Sequence, residues 1–408
     1  MQIKDVTLCC IDCLNPEAAK LALKHSAQLC EFDQVLFFTD TELSDPDIEI
    51  IPTNKISSSA EYSNFVLKEL NKYIDTSHVL IIQWDGFITN PTAWREEFKN
   101  YDYIGACWPW ETTINQVGNG GFSLRSKRLL EALQDERAYT SRPEDEAICK
   151  DFKPWLSNDY KISFAPSELA RKFSYEREPV SLETFGFHGL FNLHHHLDTS
   201  TLSALLDTLA PKNFLNPEML ELALALWKKN ETSLVKFILK TILTSDKNRE
   251  DIVFLLDHLI SNQDTENTSP PSVENILKSS LQIQQENPNT ALKLLSIATL
   301  LDPKHPEIYN ITGLILAQYE KYKEALPYFS QAINLNPNIA SYHMNLGNTH
   351  IGLNNPNQAI NCFHKSLELS PNDKSVLQFL AEAYGLVGNR EEQERYLEEA
   401  QSVSALPL

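Results

Sequence analysis

The sequence predicts an α/β domain followed by an all-α helical segment and a helical-repeat solenoid. Three observations carry that reading. Short apolar runs alternate with helix-spaced segments over the first half, strand signals cease near Thr201, and residues 272–408 repeat with a period of 34. The chain has 408 residues, and at roughly 150 residues per domain that length fits two to three domains.

The first strand is Val6–Ile11. The helix Pro16–Leu29 follows, with Ala18, Leu21, Ala22, His25 and Leu29 at helical spacing. Gln34–Phe38 is a second strand that ends at Thr39-Asp40. Ala60–Tyr73 is a helix with Tyr62, Phe65, Val66, Leu70 and Tyr73 on one stripe. His78–Gln83 is a third strand, running into Trp84-Asp85-Gly86, and Tyr103–Ala106 is a short fourth. This βαβαβ order implies a parallel or mixed sheet with helices on its faces, and ligands beyond the C-terminal strand ends. Asp12, Asp40 and Asp85 each lie just past a predicted strand. Three acids at one sheet edge point to a site, although each alone also suits a turn or an N-cap.

Leu202–Leu209, Pro217–Lys229, Ser233–Leu243 and Ile252–Ile260 read as amphipathic helices. Residues 261–272 (SNQDTENTSPPS) read as a polar linker. Beyond them Pro303, Pro337 and Pro371 are spaced by 34, as are Ala291, Ala325 and Ala359, and Gly313 and Gly347. Phe329 and Phe363 keep the same offset. Small residues where two helices touch, large ones between repeats and Pro after the second helix make the tetratricopeptide pattern. The repeats fall at about 272–305, 306–339, 340–373 and 374–408. In the last, Gln393 replaces the small residue, and a glutamate-rich helix supplies a solvent cap. Asn310, Asn345 and Asn348 are expected to face a groove and bond the backbone of an extended peptide.

Lys+Arg number 35 and Asp+Glu 55, a net charge of −20. Such a chain repels phosphate backbones, which disfavours nucleic acid as a partner. Any phosphate it binds needs a metal ion or oriented backbone N–H groups. No secretory signal and no run of about eighteen apolar residues is visible, so a cytoplasmic chain without a transmembrane segment is expected. Seven scattered cysteines fit reduced thiols, and Cys10-Ile-Asp-Cys13 is read as structural rather than redox-active.

Five ordered blocks stand out: Gln83-Trp-Asp-Gly86, Asp102-Tyr-Ile-Gly-Ala106 with Trp108-Pro109, Gly118-Asn-Gly-Gly-Phe-Ser-Leu-Arg-Ser126, Glu144-Asp145 and Phe185-Gly-Phe-His-Gly189. Together they resemble the GT-A-like glycosyltransferases of the DUF5672 type, over roughly residues 5–190. The resemblance implies a GT-A-like, Rossmann-related domain over 1–198, which the connecting α-helical segment over 199–265 and the repeats over 272–408 follow. It also implies a nucleotide-sugar donor, a UDP-sugar, with Mn²⁺ or Mg²⁺ as cofactor.

A departing diphosphate must be neutralised, and a strongly acidic protein does this most simply with a divalent metal held by carboxylates. Asp85 is the candidate ligand, in the place of the last acid of a DxD motif. Gln83 stands in the first position, which departs from that pattern. Asp85 alone also suits a β-turn before Gly86. His188 is the second candidate ligand, since a neutral imidazole suits Mn²⁺ better than Mg²⁺, and it equally suits a core or turn histidine. Gly120 and Gly121 allow close backbone approach to a sugar. Asp145 is the candidate general base with Glu144 as alternative, in a Pro143-Glu-Asp-Glu run that also opens a helix. Ile11, Asp12, Thr39, Asp40, Lys55 and Gln83 complete the expected donor-binding set. Lys55 and Arg125 are solvated by default. His194-His-His196 is read as a solvated lead into the first helix of the all-α segment.

The expected function is a metal-dependent glycosyltransferase whose repeats bind a polypeptide, either the acceptor or an assembly partner. Homo-oligomerisation through the repeats is a further expectation. Two alternatives stand beside it. One is a catalytically degenerate scaffold, favoured by Gln83. The other is a transferase acting on a surface polysaccharide or lipid-linked sugar.

Overall fold

The computed structural model describes residues 1–111, 116–181, 183–261 and 269–403. The chain divides into two compact units, Met1–Ser245 and Asp246–Leu408. The linker expected within 261–272 lies largely outside the described residues.

The first unit is mixed α/β. Its sheet contains β1 (Gln2–Ile11), β2 (Glu31–Thr39), β3 (Glu49–Pro52), β4 (His78–Ile82), β5 (Tyr103–Ile104) and β6 (Phe122–Ser126), in the order β3-β2-β1-β4-β6-β5. The β1–β2, β1–β4 and β2–β3 pairs are parallel, whereas β6 runs antiparallel to both β4 and β5. Every residue of β4 is buried, which gives it a continuous apolar run rather than alternation. Cys9, Ile11, Phe38, Val79 and Ile81 share one core with Phe65, Val66 and Leu70, while Tyr103 joins another with Trp108, Leu129 and Ile148.

Two strands of this sheet escape sequence reading. Four-residue β3 sits at an edge and ends in proline. In β6 the buried Ser123, Arg125 and Ser126 interrupt the apolar run, although all five residues are buried. The helix expected over Ala60–Tyr73 is three pieces: α2 (Ser59–Asn64), a π turn over Phe65–Glu69 and a 3₁₀ turn over Leu70–Tyr73. Its start carries a capping box, with Glu61 N–H donating to Ser58 Oγ and Ser58 N–H to Glu61 Oε2. The π turn lets the consecutive Phe65, Val66 and Leu67 all be buried.

Between β1 and β2 runs α1 (Pro16–Leu29); α3 (Lys127–Ala132), α4 (Glu144–Glu146), α5 (Lys153–Asp159) and α6 (Ser167–Phe173) complete this half. A separate parallel pair, β7 (Ser174–Tyr175) and β8 (Gly186–Phe187), follows. The expected all-α segment over 199–265 is divided. Its helices α7 (Thr199–Thr208), α8 (Pro217–Lys228) and α9 (Thr232–Ser245) go with the first unit. The next helix, α10 (Glu250–Ser261), goes with the repeats, because Glu250 Oε2 accepts from Asn287 Nδ2 at 2.7 Å and Thr290 Oγ1 at 2.9 Å.

The second unit continues as helix pairs: α11 (Val273–Ile283) with α12 (Pro288–Leu301), α13 (Pro306–Gln318) with α14 (Tyr322–Leu335), α15 (Ala340–Gly352) with α16 (Pro356–Leu369), and α17 (Lys374–Leu386) with α18 (Arg390–Val403). A methyl on Gly347 would stand 2.5 Å from the Phe363 ring, and one on Gly313 would stand 2.8 Å from Phe329, so the 34-residue offset is a packing rule. In the last pair Ala381 and Leu397 stand at these two positions, and Gly385 packs on Gln393.

Asn310 and Asn345 are a correction, while Asn348 is half-buried. Asn310 is buried, Asn345 Nδ2 donates to Asn310 Oδ1 at 2.9 Å, and Asn310 Nδ2 donates to Glu307 Oε1 at 3.0 Å. They join successive repeats rather than facing a groove, because a buried amide must satisfy its own polar atoms first. Asn310→Ala is therefore expected to destabilise the repeat unit by about 1–3 kcal/mol, read by helix loss at 222 nm in denaturant. A change within error would mean that water replaces the ladder.

Candidate functional site

The parallel pair β7–β8 sets the site. In register Ser174 faces Gly186 and Tyr175 faces Phe187, so the next residues along, Glu176 and His188, leave the strands side by side. His188 Nδ1 lies 3.2 Å from Glu176 Oε1, and the backbone N–H of His188 donates to Tyr175 O at 3.0 Å. Asn192 Nδ2 donates to the carbonyls of both Glu176 and His188 at 2.8 Å, which fixes the pair.

Asp85 comes from the turn after β4. It is buried, and its Oδ1 has no hydrogen-bond partner. His188 Nε2 is 3.4 Å from that oxygen and 3.2 Å from Gln83 Oε1. Burial works against charge on His188, but Asp85 and then Glu176 outweigh it and hold the imidazole well above its ordinary value. A methyl on Gly86 would approach Phe187 O to 2.8 Å, so the turn needs glycine to let β8 pass.

Gly120 and Gly121 pack against the protein itself. A methyl on Gly121 would lie 2.1 Å from His188 Nε2, and one on Gly120 would lie 2.8 Å from Asp145 Cβ. Gln83 N–H donates to Gly121 O at 2.9 Å, tying the loop to the end of β4. Gly120 N–H donates to Asp145 Oδ2 at 2.9 Å. These two glycines bring the Asp85–His188 pair and the α4 acids to opposite sides of one short loop.

The two α4 acids differ sharply. Glu144 Oε1 accepts from Arg125 Nη2 at 2.8 Å, both side chains being buried. Burial, then the neighbouring Glu144, pushes the Asp145 carboxyl up from its ordinary 3.8 to about 7. Arg125, expected to be solvated, is fully buried: it lies over the Tyr103 ring, Nε donates to Ser123 Oγ, and Nη1 has no partner. The reason is β6, whose central residues are covered on both faces.

The rest of the expected set disperses. Asp12 Oδ1 accepts from the backbone N–H groups of Leu14 and Asn15, both at 2.6 Å, so it shapes the turn before α1. Thr39 is buried at the end of β2, Ile11 is buried at the end of β1, and Asp40 is exposed. Lys55 lines a separate cavity of about 920 Å³ with Asn54, Asn64, Tyr139 and Thr140, which Asp85, His188 and Asp145 do not line. Of His194-His-His196, His195 is exposed, whereas the His196 ring stacks on Phe187 at 4.4 Å rather than facing solvent. Cys10 and Cys13 are free thiols, with Cys10 buried. Among the described residues no three His, Cys, Asp or Glu side chains converge at metal-ligand spacing. No helix among them is long and apolar enough to cross a membrane. Sequence reasoning missed Glu176 and Asn192, which become neighbours of His188 only through the β7–β8 pairing.

Residues 45–188 match a family described as "Protein of unknown function (DUF5672)". Residues 306–339 and 340–373 each match a tetratricopeptide repeat. The chain carries a DUF5672 domain and tetratricopeptide repeats. Such repeats stack into extended surfaces that bind other proteins. No curated protein matches the chain. Solved structures similar to part of it include "Crystal structure of MamA protein", at 21% identity, covering 47% of this chain and 98% of that one with a TM-score of 0.32. Another is "MamA 41-end from Desulfovibrio magneticus RS-1", at 15% identity, covering 48% and 94% with a TM-score of 0.31.

Proposed function

We propose that the first unit is a GT-A-like glycosyltransferase that transfers a sugar from a nucleotide-sugar, of the UDP type, to an acceptor held with the help of the repeats. One observation carries the reading. The Gly120-Gly121 loop packs on both a buried Asp85–His188 pair, whose Asp85 Oδ1 accepts no hydrogen bond, and a carboxyl raised to about 7.

The first half fits a divalent cation. Asp85 Oδ1 and His188 Nε2 are an oxygen and a nitrogen donor, a set that suits Mn²⁺, with water and diphosphate oxygens as the remaining ligands. Glu176 on Nδ1 is the outer partner that a ligating histidine needs to fix its tautomer. The cation would neutralise charge on the departing diphosphate. The chain's own residues do the rest: Glu176 orients His188, the glycines keep side chains out of the loop, and Asp145 takes the acceptor proton. A base near 7 is well placed for that at neutral pH. Glu144, held by Arg125, keeps the neighbouring charge fixed.

Thermal melting of the full chain against nucleotide-sugars, with and without Mn²⁺, tests the donor. A ligand at 100 times its Kd adds about 2.7 kcal/mol to stability, so the true donor should raise the melting temperature only with the metal present. Silence across all donors would remove the reading. Because His188 must lose its proton to ligate, Mn²⁺ should bind more tightly as pH rises toward the raised value of that imidazole. A flat pH response would argue against Nε2 as a donor.

The repeats are expected to govern acceptor choice. Since α10 is bonded to α12 through Glu250, a cut after Ser245 separates the units more cleanly than one near Ser269. The cut protein should keep slow donor hydrolysis and lose transfer to the native acceptor, through loss of effective concentration. Transfer at full rate would make the repeats an assembly element. A degenerate scaffold remains the second reading because Gln83 Oε1, in an acid's place, bonds the ring nitrogen a metal would use. Nucleotide binding without hydrolysis or transfer would favour it.

A further inference from the structure

Each oxygen of Asp145 is held by a backbone N–H. Gly120 N–H donates to Oδ2 at 2.9 Å, and Glu146 N–H donates to Oδ1 at 2.8 Å. The carboxyl therefore points where the Gly120-Gly121 loop and the start of α4 put those two amides. Both elements are tied to Arg125. Its Nη2 donates to Glu144 Oε1 on α4 at 2.8 Å. Its Nε donates to Ser123 Oγ at 3.0 Å, and that hydroxyl donates to Gly120 O at 2.9 Å. The contacts close a ring that runs from Arg125 through Ser123, Gly120, Asp145 and Glu144 back to Arg125. Arg125 and Ser123 are fully buried. A methyl on Gly120 would stand 2.9 Å from Arg125 Nη2 and 3.0 Å from Glu144 Oε1, so the loop backbone lies directly on the ion pair.

We propose that Arg125 and Ser123 are positioning residues for Asp145, a buried brace that fixes the Gly120 loop and the α4 acids to each other. This rests on the reading of Asp145 as the base. Two observations favour a brace over a pair kept for stability alone. All of β6 is buried, and an ion pair in such a place adds little over apolar residues of the same shape. The guanidinium is also used as a fork, one nitrogen on the helix and another on the loop, a geometry that a single ammonium does not reproduce. Beside the carboxyl stand Glu144 from α4, Arg125 from β6, Tyr103 from β5 and Cys149 from the turn after α4. Burial pushes the Tyr103 hydroxyl and the Cys149 thiol up, so both stay neutral and only Glu144 and Arg125 carry charge there. The Gly120 N–H favours the ionised carboxyl, so freeing the loop would push Asp145 up further.

Carbon-13 carboxyl titration of the full chain tests the brace without any need of turnover, with D145N locating the Asp145 signal. S123A keeps the Arg125–Glu144 pair and loses the tie to Gly120 O. R125K keeps the charge and loses the fork. In both, Asp145 should titrate above its wild-type midpoint of about 7. In a transfer assay both should move the acidic limb of the rate profile upward with that midpoint. Both should also lower kcat by about 10²-fold, the cost of a misplaced group, while KM for the donor stays unchanged. A wild-type midpoint and wild-type turnover in R125K would reduce Arg125 to a counter-charge for Glu144 and overturn the brace. A folded S123A with a lower melting temperature but an unmoved Asp145 midpoint would overturn it as well, since the hydroxyl would then be structural only. Full turnover by D145N would instead remove Asp145 as the base, and raised midpoints in S123A and R125K would still establish the brace.

Discussion

Arg125→Met should destabilise the first unit by about 3–5 kcal/mol, the cost of leaving one member of a buried ion pair behind. Arg125 is fully buried, its Nη2 is 2.8 Å from Glu144 Oε1, and Glu144 is itself buried. Without the guanidinium, Glu144 must either carry an uncompensated charge or take up a proton, and both are unfavourable beside Asp145. All six tryptophans lie before Ser245, so tryptophan fluorescence in urea reports this unit apart from the repeats. Removing both charges as R125M/E144L should cost less than R125M alone, since no buried charge remains. A loss under about 1 kcal/mol for R125M would show that Glu144 finds another partner.

Asp145→Asn should lower turnover by about 10²–10⁴-fold while leaving donor affinity nearly intact. The amide keeps the shape and can still accept from Gly120 N–H. In wild type the acidic limb of the rate profile should rise through about 7, because only the ionised carboxylate can take a proton. That limb should vanish in the variant. The same group has a sign in stability. Its folded value is raised above the ordinary 3.8, so the folded state holds a proton that the unfolded chain has released. Its contribution is full below about 4 and is lost as pH rises through about 7. The Asp145→Asn variant should show a flatter stability curve over that range. Turnover within a few-fold of wild type would transfer the role to Glu144, or point to a reaction needing no base.

The alternation of strands and helices, the repeats and the order of the five motif blocks were all legible in the bare sequence. These are local or periodic signals: β4 is a continuous apolar run, and in the two middle repeats the 34-residue offset follows from one ring meeting one glycine. The same signals put Asp12, Asp40 and Asp85 at one sheet edge, but not which of them is free. Asp12 spends Oδ1 on Leu14 and Asn15, Asp40 faces solvent, and only Asp85 is buried with an oxygen that accepts no hydrogen bond and stands 3.4 Å from His188 Nε2. That distinction depends on what the fold packs above each strand end. Glu176 stands twelve residues before His188 and has no spacing that marks it; the parallel pairing of β7 and β8 alone makes them neighbours. Arg125 reads as a surface cation until β6 is covered on both faces, and Asn310 reads as a groove residue until Asn345 arrives from the next repeat. Burial and long-range pairing are properties of the assembled fold, so the partners of polar side chains were decided there and not in the local sequence.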